Sequence, residues 1–543
     1  MKSIPHFEQR ALASVLVVDG APFVMLAGEV HNSCSSSPGA FAAALDQAVE
    51  LGMNTVLAPV AWDIVEPAEG RFDFTGVDEM LALARARRLR LCLLWFGAWK
   101  NAQCYYAPSW VKADLVRFPR AQMERGVNKL RLSSFHDFAY TALSLFGDQT
   151  VAADARAFAA FMAHLHEVDG ERTVICVQVE NECGEMGGAR ERSGLADAAF
   201  AEPVPAELVD SLRASAGTLA PDVAAALNAG PGVGSWGQVF GPCAEELFTA
   251  YHMACYVERV AAAGQAEYPL PLVVNCWLDK GHKPGRFPTG GPVARVMEVW
   301  RHAAPSIEAI GPDIYVPTFC SDCDAYRKLG NPLFVPETAT HAYAAAREMW
   351  AVGHHHATCY SPFAFEEMGD PFSGTTGILF GMDTSDPALS TPQDRVEYAE
   401  VTKRLAQLLS LAPEAFGTER LQAAISERPD EAALTFGRLV VCVAFDKDAL
   451  PGACVGLRGD DGVLYLLALR CTLELRSLDA ARPHVDVLSL EDGMAEDGIW
   501  CCDRRLNGDE VAIMAYGRPT LLRLEALING DEPGVRPISS CER

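Results

Sequence analysis

The chain has 543 residues, half of them hydrophobic, enough to bury a sizeable core in one large domain with smaller ones beside it. A formal net charge of -26 and a pI near 4.9 exclude nucleic acid and anionic membrane surfaces as partners and favour a neutral substrate. The N-terminus lacks the basic start and unbroken apolar stretch of a secretory signal, and no later run is suited to span a bilayer, so a cytoplasmic protein is expected.

From about residue 20 to 390, short apolar runs alternate with longer amphipathic stretches, the pattern of repeated strand and helix units. Eight strands are predicted: Phe23 to Glu29, Thr55 to Ala61, Arg90 to Phe96, Thr173 to Glu180, Leu272 to Trp277, Ile307 to Ile314, Leu333 to Glu337 and His356 to Ser361. Between them, stretches such as Phe41 to Leu51 and Val77 to Arg88 return an apolar residue every three or four positions. Eight such units predict a (β/α)8 TIM barrel over residues 1–395. Long inserts at 98–150 and 183–240 are expected to roof its top, with Gly184 to Gly188 and Gly230 to Gly234 as mobile pieces. Beyond residue 400 the pattern changes, and Leu434 to Phe445, Gly462 to Leu469, Thr472 to Leu478 and Glu510 to Tyr516 read as strands of a smaller, β-sandwich-like C-terminal domain over 396–543.

The 17 cysteines form an odd set scattered through apparent core strands (Cys92, Cys176, Cys276, Cys442), which suits reduced packing residues better than a disulfide framework. Cys320 and Cys323 form a lone C-x-x-C without a second pair, and His354-His355-His356 lacks partnered ligands at standard spacing. No metal site and no cofactor are expected.

The strand ends carry the chemistry. Strand four runs apolar through Val179 and then breaks into Glu180-Asn181-Glu182. Strand one ends at Glu29 and His31, strand two at Asp63 and Glu66, and strand three at Trp99, Lys100 and Asn101. Asn275 and Trp277 end strand five, Tyr315 follows strand six, Glu337 ends strand seven and Tyr360 lies in strand eight. A rim of carboxylates, amides and aromatics suits a sugar, whose C–H faces stack on rings while its hydroxyls take hydrogen bonds. Glu182 and Glu337, on separate strands, are the candidates for the two carboxylates of glycoside hydrolysis. Each has a local alternative: Glu182 as a solvated loop acid and Glu337 as a first-turn helix acid. Asp63 and Glu66 also suit a helix cap or salt bridge, Tyr315 a barrel-core tyrosine, and Glu29 and Asn275 loop caps.

Several of these segments resemble glycoside hydrolase family 35, in the retaining clan that includes the family 42 β-galactosidases. Leu26-Ala27-Gly28-Glu29-Val30-His31 is similar to the family's early strand motif, Trp62 to Phe74 resembles its W-x-x-x-E-P-x-x-G-x-F-D-F signature, and Gln178 to Gly184 its Q-x-E-N-E-x-G motif. The resemblance implies that Glu182 is the general acid/base, Glu337 the nucleophile, and Asn181 a ligand of the sugar 2-hydroxyl. Trp95 to Asn101, Tyr106 to Lys112 and Arg117 to Arg120 resemble a bacterial subgroup with a distinct C-terminal β domain. His31-Asn32-Ser33, Cys183 and Phe334 to Thr338 depart from the better-known members, which bears on the sugar more than on the reaction.

The expected function is a retaining exo-β-glycosidase, first a β-galactosidase acting on oligosaccharides or small glycosides, with arabinopyranoside, fucoside and glucoside as alternative sugars. A catalytically silent sugar-binding protein would keep the pocket without the chemistry. A metal-dependent barrel hydrolase would need a His-x-His strand end, which is missing. The oligomeric state is left open by the sequence, with a homodimer as the first expectation and the C-terminal β domain offering an interface.

Overall fold

A computed structural model of the protein describes residues 3–123, 141–372, 386–447, 449–513 and 515–528. Eight parallel strands form one sheet: Met25–Glu29, Thr55–Ala61, Arg90–Lys100, Val174–Asn181, Leu272–Trp277, Ala309–Asp313, Phe334–Thr338 and Cys359–Pro362. All eight coincide with predicted strands, two of them to the residue. Strand six meets strand seven through a bridge between Ile314 and Thr338, where the Ile314 amide donates to the Glu337 carbonyl at 2.9 Å, so the sheet closes into a barrel.

Nearly every strand residue is buried, because helices cover the outer face and side chains fill the inside. The lower interior is packed by Ala27, Leu57, Cys92, Leu94, Cys176, Val273, Phe334 and Cys359. Leu16 and Val18 join this cluster from an antiparallel N-terminal strand, Ser14–Val18, and close the barrel's floor. The small thiols of Cys92, Cys176 and Cys359 lie in this layer and form no disulfide. Cys442 is only half-buried, contrary to its expected core position.

The C-terminal region holds a six-stranded and a three-stranded antiparallel sheet. Along the larger sheet, alternate residues such as Ala423, Val455 and Leu467 pack with the barrel's helices, while Cys454, Leu466 and Leu522 face the smaller sheet. The predicted run Leu434 to Phe445 is a hairpin of Ala433–Phe436 and Leu439–Phe445. Residues Asp509–Ile513 form a short helix in place of the predicted strand, whose acidic start suits a helix N-terminus, and the final strand is Thr520–Ile528. Buried Arg347 pairs with Glu427 at 2.8 and 3.0 Å, joining a barrel helix (Ala344–His355) to this region. No helix of the described residues is long and apolar enough to cross a membrane.

Candidate active site

Strand four ends in a forced bend. Glu180 (φ +61°) and Glu182 (φ +46°) both adopt the left-handed region, which costs a side-chain-bearing residue of order 1–3 kcal/mol. Three contacts hold the bend. The Glu180 carboxylate accepts the amides of Ala98 (3.2 Å) and Trp99 (2.7 Å), and the Glu182 amide donates to Asn275 Oδ1 (2.8 Å). Gly97 makes the first possible, since a Cβ there would lie 2.6 Å from Glu180 Oε1 and 2.5 Å from Trp95 Nε1. The bend sends the two acids of the motif to opposite sides. Glu180, which as the first acid of the strand-four tip was expected to face inward in support of the site, instead turns out toward the helices and lies against Asp154 of Asp148–Val168. Glu182 turns toward the barrel axis.

Around the axis the structure brings together Glu29, Lys100, Asn181, Glu182, Asn275, Trp277, Asp313, Tyr315 and Glu337. Asn275 is the hub. Its Nδ2 reaches Asn181 Oδ1 (3.2 Å), Asp313 Oδ2 (3.1 Å) and Glu337 Oε1 (3.3 Å), while its Oδ1 fixes the Glu182 amide. Tyr315 donates to Glu337 Oε2 at 2.5 Å, so both oxygens of that carboxylate face donors, an environment that stabilises an anion. The Glu182 side chain lies beside Trp277 and Asp313, and its Oε2 is buried without a donor among the described residues. Burial, then the charge of Glu337, pushes Glu182 up to about 8, so it carries a proton at neutral pH.

The carboxylates of Glu182, Asp313 and Glu337 each place an oxygen within 4.8 Å of the others. Such a trio would also suit an oxygen-coordinated cation. The buried Lys100 ammonium, however, faces all three and Glu29 as well, and those four acids together hold it above its usual range against the opposing pull of burial. Positive charge is thus already built in. Glu29 is fully buried, both its oxygens lack donors among the described residues, and burial followed by Glu337 raises it well above the carboxylate range. Asn181 Nδ2 is likewise buried without an acceptor. These atoms ask for hydroxyl groups.

Other expected site residues lie at the rim or outside it. His31 contacts Glu367 at 2.9 Å and the edge of Phe363 on the rim. Asp63 is half-buried there, with Lys112 nearby and its amide bonded to the Tyr106 carbonyl. Asn101 takes a left-handed turn whose amide donates to the Asn181 carbonyl. Three are corrections. Glu66 is buried in its own turn, accepting Trp62 Nε1 (2.9 Å) and the Gly70 amide (2.7 Å), so the W-x-x-x-E-P segment is scaffold here. Trp99 follows Trp95 to the outer face and packs edge-on against Tyr256 of a covering helix. Tyr360 points away from Cys359, which is interior, and bonds the Ala344 carbonyl at 2.9 Å. The supposedly mobile Gly184 to Gly188 is clamped by the Glu185 and Thr289 backbone bridge, with Gly184 (φ +146°) too close to Pro288 for any Cβ.

Two further residues line the pocket: Asp313, part of the strand-six tip Asp313-Ile314-Tyr315 but not among the expected site residues, and Tyr106. Asp313 sits two positions before Tyr315 at the end of strand six and so projects to the same side. Tyr106 is half-buried beside Lys100 and Asp63 and packs tilted against Phe96 with ring centroids 4.9 Å apart, but its only sequence signal is its place in a motif-like loop.

Comparison with known proteins adds a local likeness. Residues 15–94 match the model of Glycosyl hydrolases family 35, and residues 402–515 match a domain of unknown function (DUF5597). The first match spans strands one and two and stops within strand three, before either candidate acid. A β-galactosidase of Xanthomonas manihotis is 39% identical over 70 residues, 13% of this chain and 11% of that protein. Solved structures with similarity include a β-galactosidase from the psychrophilic Marinomonas ef1 (TM-score 0.45, 14% identity, covering 73% of this chain and 61% of that one). An exo-β-1,4-mannosidase, Op5Man5, from Opitutaceae bacterium strain TAV5 has a TM-score of 0.41 at 14% identity, covering 75% and 62%. The chain thus spans about a tenth of the curated relative and less than two thirds of these structural neighbours.

Proposed function

We propose that the protein is a retaining exo-β-glycosidase that removes terminal β-galactosyl residues from oligosaccharides or small glycosides. The observation that carries this reading is the approach of Glu182 and Glu337, whose nearest oxygens lie within 4.8 Å. So close an approach supports direct attack, for which the carboxyl groups stand about 5–5.5 Å apart, over an inverting mechanism, for which they stand about 6.5–9.5 Å apart.

Glu337, oriented by Tyr315 and Asn275, attacks C1 as the bond to the leaving oxygen breaks, and protonated Glu182 gives that oxygen its proton. Glu182 then takes a proton from water, which attacks C1 and releases Glu337. Two inversions return the starting configuration. Asn181 Nδ2 and Glu29 meet ring hydroxyls, and the Trp277 indole steadies Glu182. The family 35 match over the first strands and the named Xanthomonas relative support galactose as the sugar.

The test is a panel of nitrophenyl β-glycosides, with the first-formed anomer followed by NMR in wild type, E182Q and E337Q. β-Galactoside is expected to be the best substrate and the β-anomer the first product. An α-anomer formed first, or full activity in E337Q, overturns the mechanism.

A further inference from the structure

Asp313 has no part in the two-step reaction just described, yet it is buried against the acid that performs it. Its Oδ2 accepts from Asn275 Nδ2 at 3.1 Å, while Oδ1 is buried without a donor among the described residues, as is Glu182 Oε2. The two side chains share one buried site, each with an oxygen within 4.8 Å of the other and of Glu337. Two carboxylates can bond one another only through a proton, and a third carboxylate beside them penalises any further negative charge.

We propose, building on the glycosidase reading, that Asp313 stays protonated through the catalytic cycle and donates a hydrogen bond to Glu182 whenever Glu182 is ionised, making it a positioning residue for the acid/base. The proton count decides the direction. If the pair held a single proton, transfer to the leaving group would leave two adjacent anions in a buried site. With two protons, the same transfer leaves one anion bonded to one neutral acid. In the first step the Glu182 proton goes to the leaving oxygen and the Asp313 proton stays. In the second step water returns a proton to Glu182, and the Asp313 proton has again not moved.

The surroundings are consistent with this state. Glu337 of strand seven, Glu182 of strand four and the Cys276 thiol of strand five face Asp313, with Lys100 of strand three and Tyr315 nearby. Burial first, then Glu337 and Glu182, raise Asp313 well above the carboxylate range.

The test compares D313N, which keeps a donor in place of the proposed acid proton, with D313A, which removes it. Against an aryl galactoside with a poor leaving group, kcat is expected to fall by about 10–100-fold in D313A, with KM changed less than about threefold, and to recover in D313N to within about fivefold of wild type. The basic limb of the pH profile should be unmoved in D313N and displaced to higher pH in D313A, where the Glu182 anion has lost its donor. A basic limb that drops by a unit or more in D313N, or a D313A enzyme equal to wild type, overturns the proposal. Infrared difference spectra give a readout independent of turnover: at neutral pH one carboxylic-acid carbonyl band should vanish in D313N, and its persistence counts against a protonated Asp313. If wild type hydrolyses no glycoside while that band is lost, the glycosidase reading fails and the protonation state stands by itself.

Discussion

Two buried acid clusters lie back to back on strand four, and they are furnished differently. On the helix side, Glu180 and Asp154 have a donor for every oxygen: the amides of Ala98 and Trp99, the Trp95 indole and the Tyr256 hydroxyl. On the axis side, Glu29 lacks donors on both oxygens, and Glu182 and Asp313 each lack one, among the described residues. Burial raises acids in both clusters, so neither burial nor a raised proton affinity identifies the reactive pair. Unfilled hydrogen-bonding capacity marks out the axis-side cluster, although Glu337 within it has both oxygens met by Asn275 and Tyr315. The first cluster is finished by the protein, and the second awaits a ligand.

Replacing one acid at a time should separate the clusters most sharply. E182A is expected to lower kcat by about 10²–10⁴-fold on substrates with poor leaving groups, and by much less on activated ones, in steady-state assays. E180A should instead lose about 2–4 kcal/mol of folding stability in denaturant titration while folded molecules keep most of their turnover, because it strands two buried amides and the Asp154 carboxyl. If E180A abolishes turnover without loss of stability, the division fails.

The next effect is on stability against pH. Glu182 remains protonated when folded up to about 8 but ionises in the unfolded chain at the ordinary carboxylate value, so the folded state binds the extra proton and its stability falls as pH rises through that window. E182Q removes this dependence. Its melting temperature should match wild type near pH 5 and exceed it increasingly toward pH 8, as read by calorimetry.

A smaller shift is expected on removing the pocket's cation. The Lys100 ammonium lowers the proton affinity of Glu182, so K100M should displace the basic limb of the rate profile to higher pH, with kcat reduced about tenfold. The smallest belongs to the rim, where Y106F should raise KM by about two- to fivefold and leave kcat unchanged, as expected for loss of one hydrogen bond to bound sugar.

The barrel was legible in the sequence because strands buried on both faces leave unbroken apolar runs between helical periods, and Thr55–Ala61 and Leu272–Trp277 were delimited to the residue. Glu182 and Glu337 were legible as acids at strand tips. Not every polar or aromatic residue near a strand tip faces inward. Alternation already argued an outward face for Trp99, which shares a face with Trp95, and for Tyr360, which alternates with interior Cys359. Glu66 was hidden by its proximity to Trp62, one helical turn earlier, to which it bonds. The opposite destinations of Glu180 and Glu182 were beyond any periodicity argument, since they depend on two left-handed residues held by strands three and five.

The closed floor bears on traffic through the site. With Leu16 and Val18 plugging the lower interior, arriving substrate, departing alcohol and incoming water all use the strand-tip end of the barrel. Under the proposed mechanism the alcohol must clear that passage before water reaches the glycosyl ester, so an abundant alcohol lingering there competes with water for the sugar. Under that mechanism hydrolysis and transfer share one passage, and acceptor concentration becomes a handle on which product is made.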